Sequence, residues 1–197
     1  MKKWSKVGFA FLFLLMLIGC AGTSNYMQDV TDPNIAYTPA ADEAVVVFMR
    51  PSTFAFAIDS GVFDVTTEKN DVIGIVSAKK KLAHRTTPGK HLFMVTGESA
   101  DFMQADLDAG KTYYALITPR MGAWKARFSL AAVSKDTEPD QLKEWKNSCT
   151  WVVTSEATRQ WAKENAGSIQ RKRDGYIEKW MTKPDAGKPA LAPEDGF

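Results

Sequence analysis

Ala44-Val45-Val46-Val47-Phe48-Met49-Arg50, ended by Pro51, is the stretch that decides the fold. Three consecutive valines and no polar alternation predict a strand covered on both faces. Pro51 brings no amide donor and stops the ladder. Downstream the same texture recurs in short runs: Val62 to Val65, Asp71 to Val76, His91 to Thr96, Phe102 to Leu107 and Thr112 to Thr118. Trp124 to Val133 alternates, with Trp124, Ala126, Phe128, Leu130 and Ala132 on one face. Lys79 to Thr87 is a polar strand, and its three lysines predict a sheet edge, because a charged edge resists pairing with another chain. Turn residues separate the runs: Asp59-Ser60-Gly61, Lys69-Asn70, Thr87-Pro88-Gly89-Lys90 and Asp108-Ala109-Gly110-Lys111. Many short strands at this spacing predict a mainly β protein, an antiparallel β-sandwich over 41–135.

Beyond Val133 the periodicity changes. Residues 136–182 read as a helical extension. A short helix covers Pro139 to Trp145, and Trp151-Val152-Val153 forms a brief apolar link. Thr154 or Ser155 can cap a helix running to about Met181, with a break expected near Gly167-Ser168. Residues 183–197 carry three prolines and two glycines and are expected to be a disordered tail. Upstream, 20–40 lacks an apolar period and reads as a flexible tether.

The N-terminal segment has a different logic. Lys2, Lys3 and Lys6 precede 13 uncharged residues from Val7 to Gly19. At ~1.5 Å per residue these are too short to cross a ~30 Å hydrocarbon core comfortably. A basic start, an apolar middle and a small residue at the cut make a secretory signal over 1–19. Leu17-Ile18-Gly19-Cys20 resembles a bacterial lipobox. That resemblance implies cleavage after Gly19, a diacylglycerol thioether on Cys20 and an N-acyl group on the new amine. Two or more chains give lasting attachment where one is marginal. Ala21, rather than aspartate, implies the outer membrane, and the body is expected to face the periplasm.

The chain carries 25 basic and 23 acidic residues. Loss of Lys2, Lys3 and Lys6 leaves 22 against 23, a net charge of −1. A near-neutral body argues against nucleic acid, which requires a basic patch. With Cys20 lipidated, Cys149 has no intramolecular partner, and a buried thiol is expected.

Residues 44–135 resemble a family of bacterial lipoproteins catalogued as domain of unknown function 2846. The resemblance rests on Val45 to Pro51, Pro88-Gly89-Lys90-His91, Leu107 to Tyr114 and Ala126 to Leu130. It implies a compact β-sandwich on a lipid tether, with Pro-Gly and Ala-Gly-Lys closing hairpins and Tyr113 and Tyr114 on opposite faces of a strand. It supplies no catalytic residues and no cofactor.

Several constellations invite a chemical reading. If Pro88-Gly89 closes a two-residue hairpin, Thr86 faces His91 and His84 lies one diagonal away, ~7–8 Å between Cα atoms. Two imidazoles leave a zinc site short of ligands, so two ordinary strand histidines and no metal are expected. Asp106 and Asp108 flank a turn and most simply solvate it. No Gly-x-Ser-x-Gly elbow is present, and no catalytic set is assigned. Trp145, Trp151, Trp161 and Trp180 lie in the C-terminal part; they either glue helix to sandwich or offer a surface to a partner. Arg171-Lys172-Arg173 reads as a solvated helix face, with acidic lipid or an acidic partner as the other option. The expectation is a non-enzymatic interaction or scaffold module of the envelope. The alternatives are a module binding peptidoglycan or another glycan, and an envelope hydrolase.

Overall fold

The computed structural model describes residues 22–32, 37–122 and 126–197. The lipobox, Cys20 and Trp124 lie outside the described residues. In chain order the strands are β1 (Met27–Asp29), β2 (Ala44–Arg50), β3 (Ser60–Asp64), β4 (Asp71–Val76), β5 (Lys80–Thr86), β6 (Gly89–Thr96), β7 (Ala100–Leu107), β8 (Thr112–Arg120) and β9 (Arg127–Ala132). Helix α1 (Pro139–Asn147), β10 (Thr150–Thr154), α2 (Glu156–Glu164), α3 (Ala166–Met181) and β11 (Ala190–Leu191) follow. One sheet has the order β1-β10-β5-β2-β8-β9, the other β11-β7-β6-β3-β4.

β2 is buried along its whole length. Val46 and Phe48 enter a core fed by both sheets, where Phe48 meets Phe93 edge-on at 5.3 Å. Val45, Val47 and Met49 point the other way, into a cluster with Leu142 of α1 and Cys149. The second sheet is likewise covered on its outer side: Phe63, Met94 and Phe102 pack against Ile169 and Trp180 of α3. Helices on the outer faces explain why a strand of this protein can be apolar on both sides.

The fold is mainly β, but the sheets are mixed rather than antiparallel. β2 runs parallel to β8, β10 to β5, and β11 to β7. The reason is that several turns cross between sheets. Thr87-Pro88 leads from β5 into β6 of the other sheet, and Asp108–Lys111 leads from β7 back to β8. Neither closes a hairpin, so strands distant in sequence become neighbours. β5 is not an edge either. Its Lys80 and Lys81 pair with Thr150 and Trp151 of β10, which covers the lysine-rich side. Because β10 lies between α1 and α2 yet completes a sheet, the boundary expected at 135/136 is not a structural one.

Both presumed flexible ends take part in the fold. Met27 of β1 is buried over Gly74, where a Cβ would meet Leu82 at 2.7 Å and Met27 at 3.1 Å. The tether expected over 20–40 therefore contains a paired strand, which registers Met27 with Thr154. Leu191 of β11 is 1% exposed and pairs with Ala105, and Phe197 exchanges two backbone hydrogen bonds with Thr112. The sequence 183–197 is thus a docked strap rather than a disordered tail. Its prolines and glycines shape turns around one buried leucine. The break in the long helix falls at Asn165, which closes α2 and opens α3, two residues before Gly167. Ser155 caps α2 as expected, its amide donating to Thr158 Oγ1 at 3.0 Å.

Register fixes which loops share an end. Arg50 faces Lys80, Ser60 faces Val76, Thr96 faces Ala100 and Arg120 faces Arg127. The β2–β3 loop, the β4–β5 turn, the β6–β7 turn and the β8–β9 hairpin therefore gather at one end of the body. The Asp108–Lys111 turn and Thr87-Pro88 lie at the other.

Candidate functional site

Three polar constellations stand out. The first is Arg50, fully buried at the end of β2. Its Nη1 donates to the Ile58 carbonyl at 2.6 Å and to that of Val76 at 3.4 Å; its Nη2 donates to Phe54 at 3.1 Å and Ala55 at 2.7 Å. The guanidinium lies 4.6 Å from the Phe128 ring centre. Burial lowers its pKa to about 10, against the opposing pull of Asp59. Arg50 thus pins the β2–β3 loop from beneath, including Ala55 in the left-handed region at φ 56°.

The second joins the two histidines. The predicted hairpin does not exist, since β5 and β6 belong to different sheets. The imidazoles nevertheless converge, on Asp64. His91 Nδ1 donates to Asp64 Oδ2 at 3.0 Å, and His91 Nε2 donates to the Thr87 carbonyl at 2.9 Å. Two acceptors on one ring require both nitrogens to be protonated. The His91 pKa is raised, first by the Asp64 hydrogen bond and against burial. Burial alone would raise Asp64; hydrogen bonds from His91 and from the Thr66 side chain and amide overcome it and hold the carboxyl at about 2. His84 Nε2 sits 3.9 Å from the same oxygen, and burial lowers its pKa. A neutral His84 and a cationic His91 therefore share one carboxylate, tying β5 of one sheet to β3 and β6 of the other. With both His91 nitrogens engaged, the ring has no free lone pair for a metal. Among the described residues no three His, Cys, Asp or Glu side chains are grouped to hold one.

The third is a cleft of about 410 Å³ on the outer side of the first sheet. Tyr37, Tyr114, Trp151 and Phe197 form its walls, and Lys81 and Lys146 project into it. Tyr37 packs on Trp151 at 4.6 Å and Tyr114 on Phe197 at 5.4 Å. The Lys81 ammonium lies 4.6 Å from the Trp151 ring centre and donates to the Lys146 carbonyl at 2.5 Å. Lys146 lies 5.0 Å from the Tyr114 ring. Burial lowers the Lys81 pKa, with Cys149 opposing and Lys146 assisting. No carboxylate side chain lines the cleft among the described residues. Aromatic faces with two cations and no acidic side chain suit a ligand that has an anionic group on a ring or apolar body.

The four tryptophans separate on this basis. Trp180 is 2% exposed against Phe102, and Trp161 packs on Tyr26 and Phe63. Trp145 is half-buried beside the α1 cluster. Only Trp151 of the four lines the cleft. The basic run on α3 is largely engaged: Arg173 reaches the carbonyls of Val65, Thr67 and Lys69, and Lys172 that of Gly97. Asp108 pairs with Lys111 at 2.7 Å on its turn. Cys149 is buried, and burial pushes its thiol pKa up. Tyr113 and Tyr114 do take opposite faces, the first in the central core with its hydroxyl accepting the Asp108 amide, the second in the cleft.

Lys81 and Lys146 escaped sequence reading because one sits on a strand and the other ends a helix; only the parallel pairing of β10 with β5 brings them together. Comparison with protein-family models and with curated proteins gives no match to this chain.

Proposed function

We propose that this chain is a lipid-anchored outer-membrane protein of the bacterial envelope whose body serves as a non-enzymatic interaction module facing the periplasm. The observation that carries this reading is the order Lys2-Lys3, then thirteen uncharged residues from Val7 to Gly19 that end in Leu17-Ile18-Gly19, then Cys20. The body suits such an anchor, because the first buried residue among those described, Ser24, follows Cys20 by only four positions. Among the described residues no helix is long and apolar enough to cross a membrane. Intact-mass analysis of the protein from its own membranes tests the reading. The expected product starts at Cys20 and carries acyl chains, and Cys20→Ser leaves unprocessed precursor. An unmodified residue 20 refutes it.

The cleft favours a second, more specific reading, a module that binds an anionic glycan such as peptidoglycan. Trp151 and its aromatic neighbours would meet sugar-ring faces while Lys81 and Lys146 meet carboxylates. The body over 21–197 should then be retained on purified sacculi and lose retention on Trp151→Ala. Equal retention of both proteins refutes this reading and leaves the anchor unaffected.

A further inference from the structure

We propose that the β2–β3 loop, through Phe54 and Phe56, is a second membrane contact that enters the same leaflet as the acyl chains of Cys20. This rests on the anchored reading above. Six large hydrophobic residues are exposed among those described, and four of them share the Arg50 end of the body: Tyr26 at 40%, Phe54 at 48%, Phe56 at 57% and Met121 at 80%. Clustering of this kind marks a surface that meets an apolar phase or partner.

The N-terminal segment joins the body at this same end. The Ser24 amide donates to Ser77 Oγ at 3.1 Å, and the Ser77 hydroxyl donates to Asp59 Oδ1 at 2.7 Å. Asp59 is the last residue of the loop that carries the two phenylalanines. Three residues lie between Cys20 and Ser24, four steps along the chain with a reach of at most ~14 Å at ~3.3–3.6 Å per step. An acylated Cys20 therefore holds this end, and not the Asp108–Lys111 end, against the bilayer. The occupant of the exposed aromatic patch is the lipid to which the chain itself is fastened.

The loop is built to present its rings rather than fold them away. Arg50 takes the carbonyls of Phe54, Ala55 and Ile58 from inside, and Ala55 holds a left-handed backbone between the two phenylalanines. The Phe54 amide is turned by the Ser52 hydroxyl at 3.1 Å. With its inner polar groups satisfied by a buried guanidinium, the loop can lose outer water without stranding those carbonyls. Tyr26 adds an amphipathic ring of the kind that settles at the headgroup level.

The test uses the full, lipidated protein in phosphatidylethanolamine–phosphatidylglycerol vesicles. A nitrobenzoxadiazole dye is placed on Phe56→Cys and, separately, on Ala109→Cys in the exposed turn at the opposite end; Cys149 is buried and Cys20 acylated. Spin-labelled lipids should quench the dye at 56 and shift its emission to the blue, while the dye at 109 stays unquenched and water-like. Flotation and the mass of the N-terminal peptide are read on the same samples. An unquenched position 56 on protein that floats and carries acyl chains overturns the second contact while leaving the anchor standing, and it is also the outcome if a protein covers the patch. Absence of acyl chains on Cys20 overturns both.

Discussion

Replacing Asp64 with Asn should produce a stability deficit that peaks in mildly acidic solution. In the native protein Asp64 accepts from Thr66 N at 2.9 Å, Thr66 Oγ1 at 2.5 Å and His91 Nδ1 at 3.0 Å. Its side chain is only 16% exposed, so solvent screening removes little of the interaction. A fall in pKa from 3.8 to about 2 corresponds to roughly 2 kcal/mol at ~1.36 kcal/mol per unit. The sign follows from linkage. The carboxyl is depressed in the folded state, so its contribution is complete above 3.8 and disappears as the pH falls towards about 2. His91 has the opposite sense. Its folded pKa lies above 6.5, so its contribution is complete below 6.5 and is lost as the pH rises through the folded value. Asp64→Asn abolishes both contributions at once. Urea denaturation of the two proteins should therefore differ by about 2 kcal/mol near pH 5, by less at about pH 8.5, and by almost nothing near pH 2. Urea is uncharged and leaves the ion pair unscreened. A difference that stays constant from about pH 5 to about pH 2 would refute the assignment of Asp64 as the carboxylate that clamps the two sheets.

Arg50→Lys should cost about 3 kcal/mol in urea denaturation, because an ammonium cannot reach the carbonyls of Phe54, Ala55 and Ile58 together; a loss below ~1 kcal/mol would show that water replaces the clamp. Leu191→Ala should lower stability by ~2–3 kcal/mol, since its side chain is buried where β11 completes the second sheet. Unchanged thermal unfolding in that variant would return 183–197 to the status of a loose tail. The sacculus retention of Trp151→Ala and the processing of Cys20→Ser complete the set.

Several elements were legible without the fold. β4 occupies Asp71–Val76 as read, β2 occupies Ala44–Arg50, and the cap falls at Ser155, one of the two positions read for it. These features are written locally, in side-chain alternation, in a proline and in a hydroxyl before a helix. The meeting of His84 and His91 was expected from a hairpin that the protein does not form. Both residues still converge, because the chain crosses from one sheet to the other and a single carboxylate on β3 waits between them.

Sequence alone determined the strand-rich class, the doubly covered β2 and the expectation of an acylated Cys20, each encoded within a short window of the chain. Tertiary structure alone decided that Lys81 lies inside a sheet, that Met27 and Leu191 are buried, and that Lys81 and Lys146 share an aromatic cleft. Parallel pairing carries no turn signature and joins segments about 70 residues apart, as Lys80 and Thr150 are. A lysine-rich strand or a proline-rich end can thus be read as exposed until another part of the chain covers it.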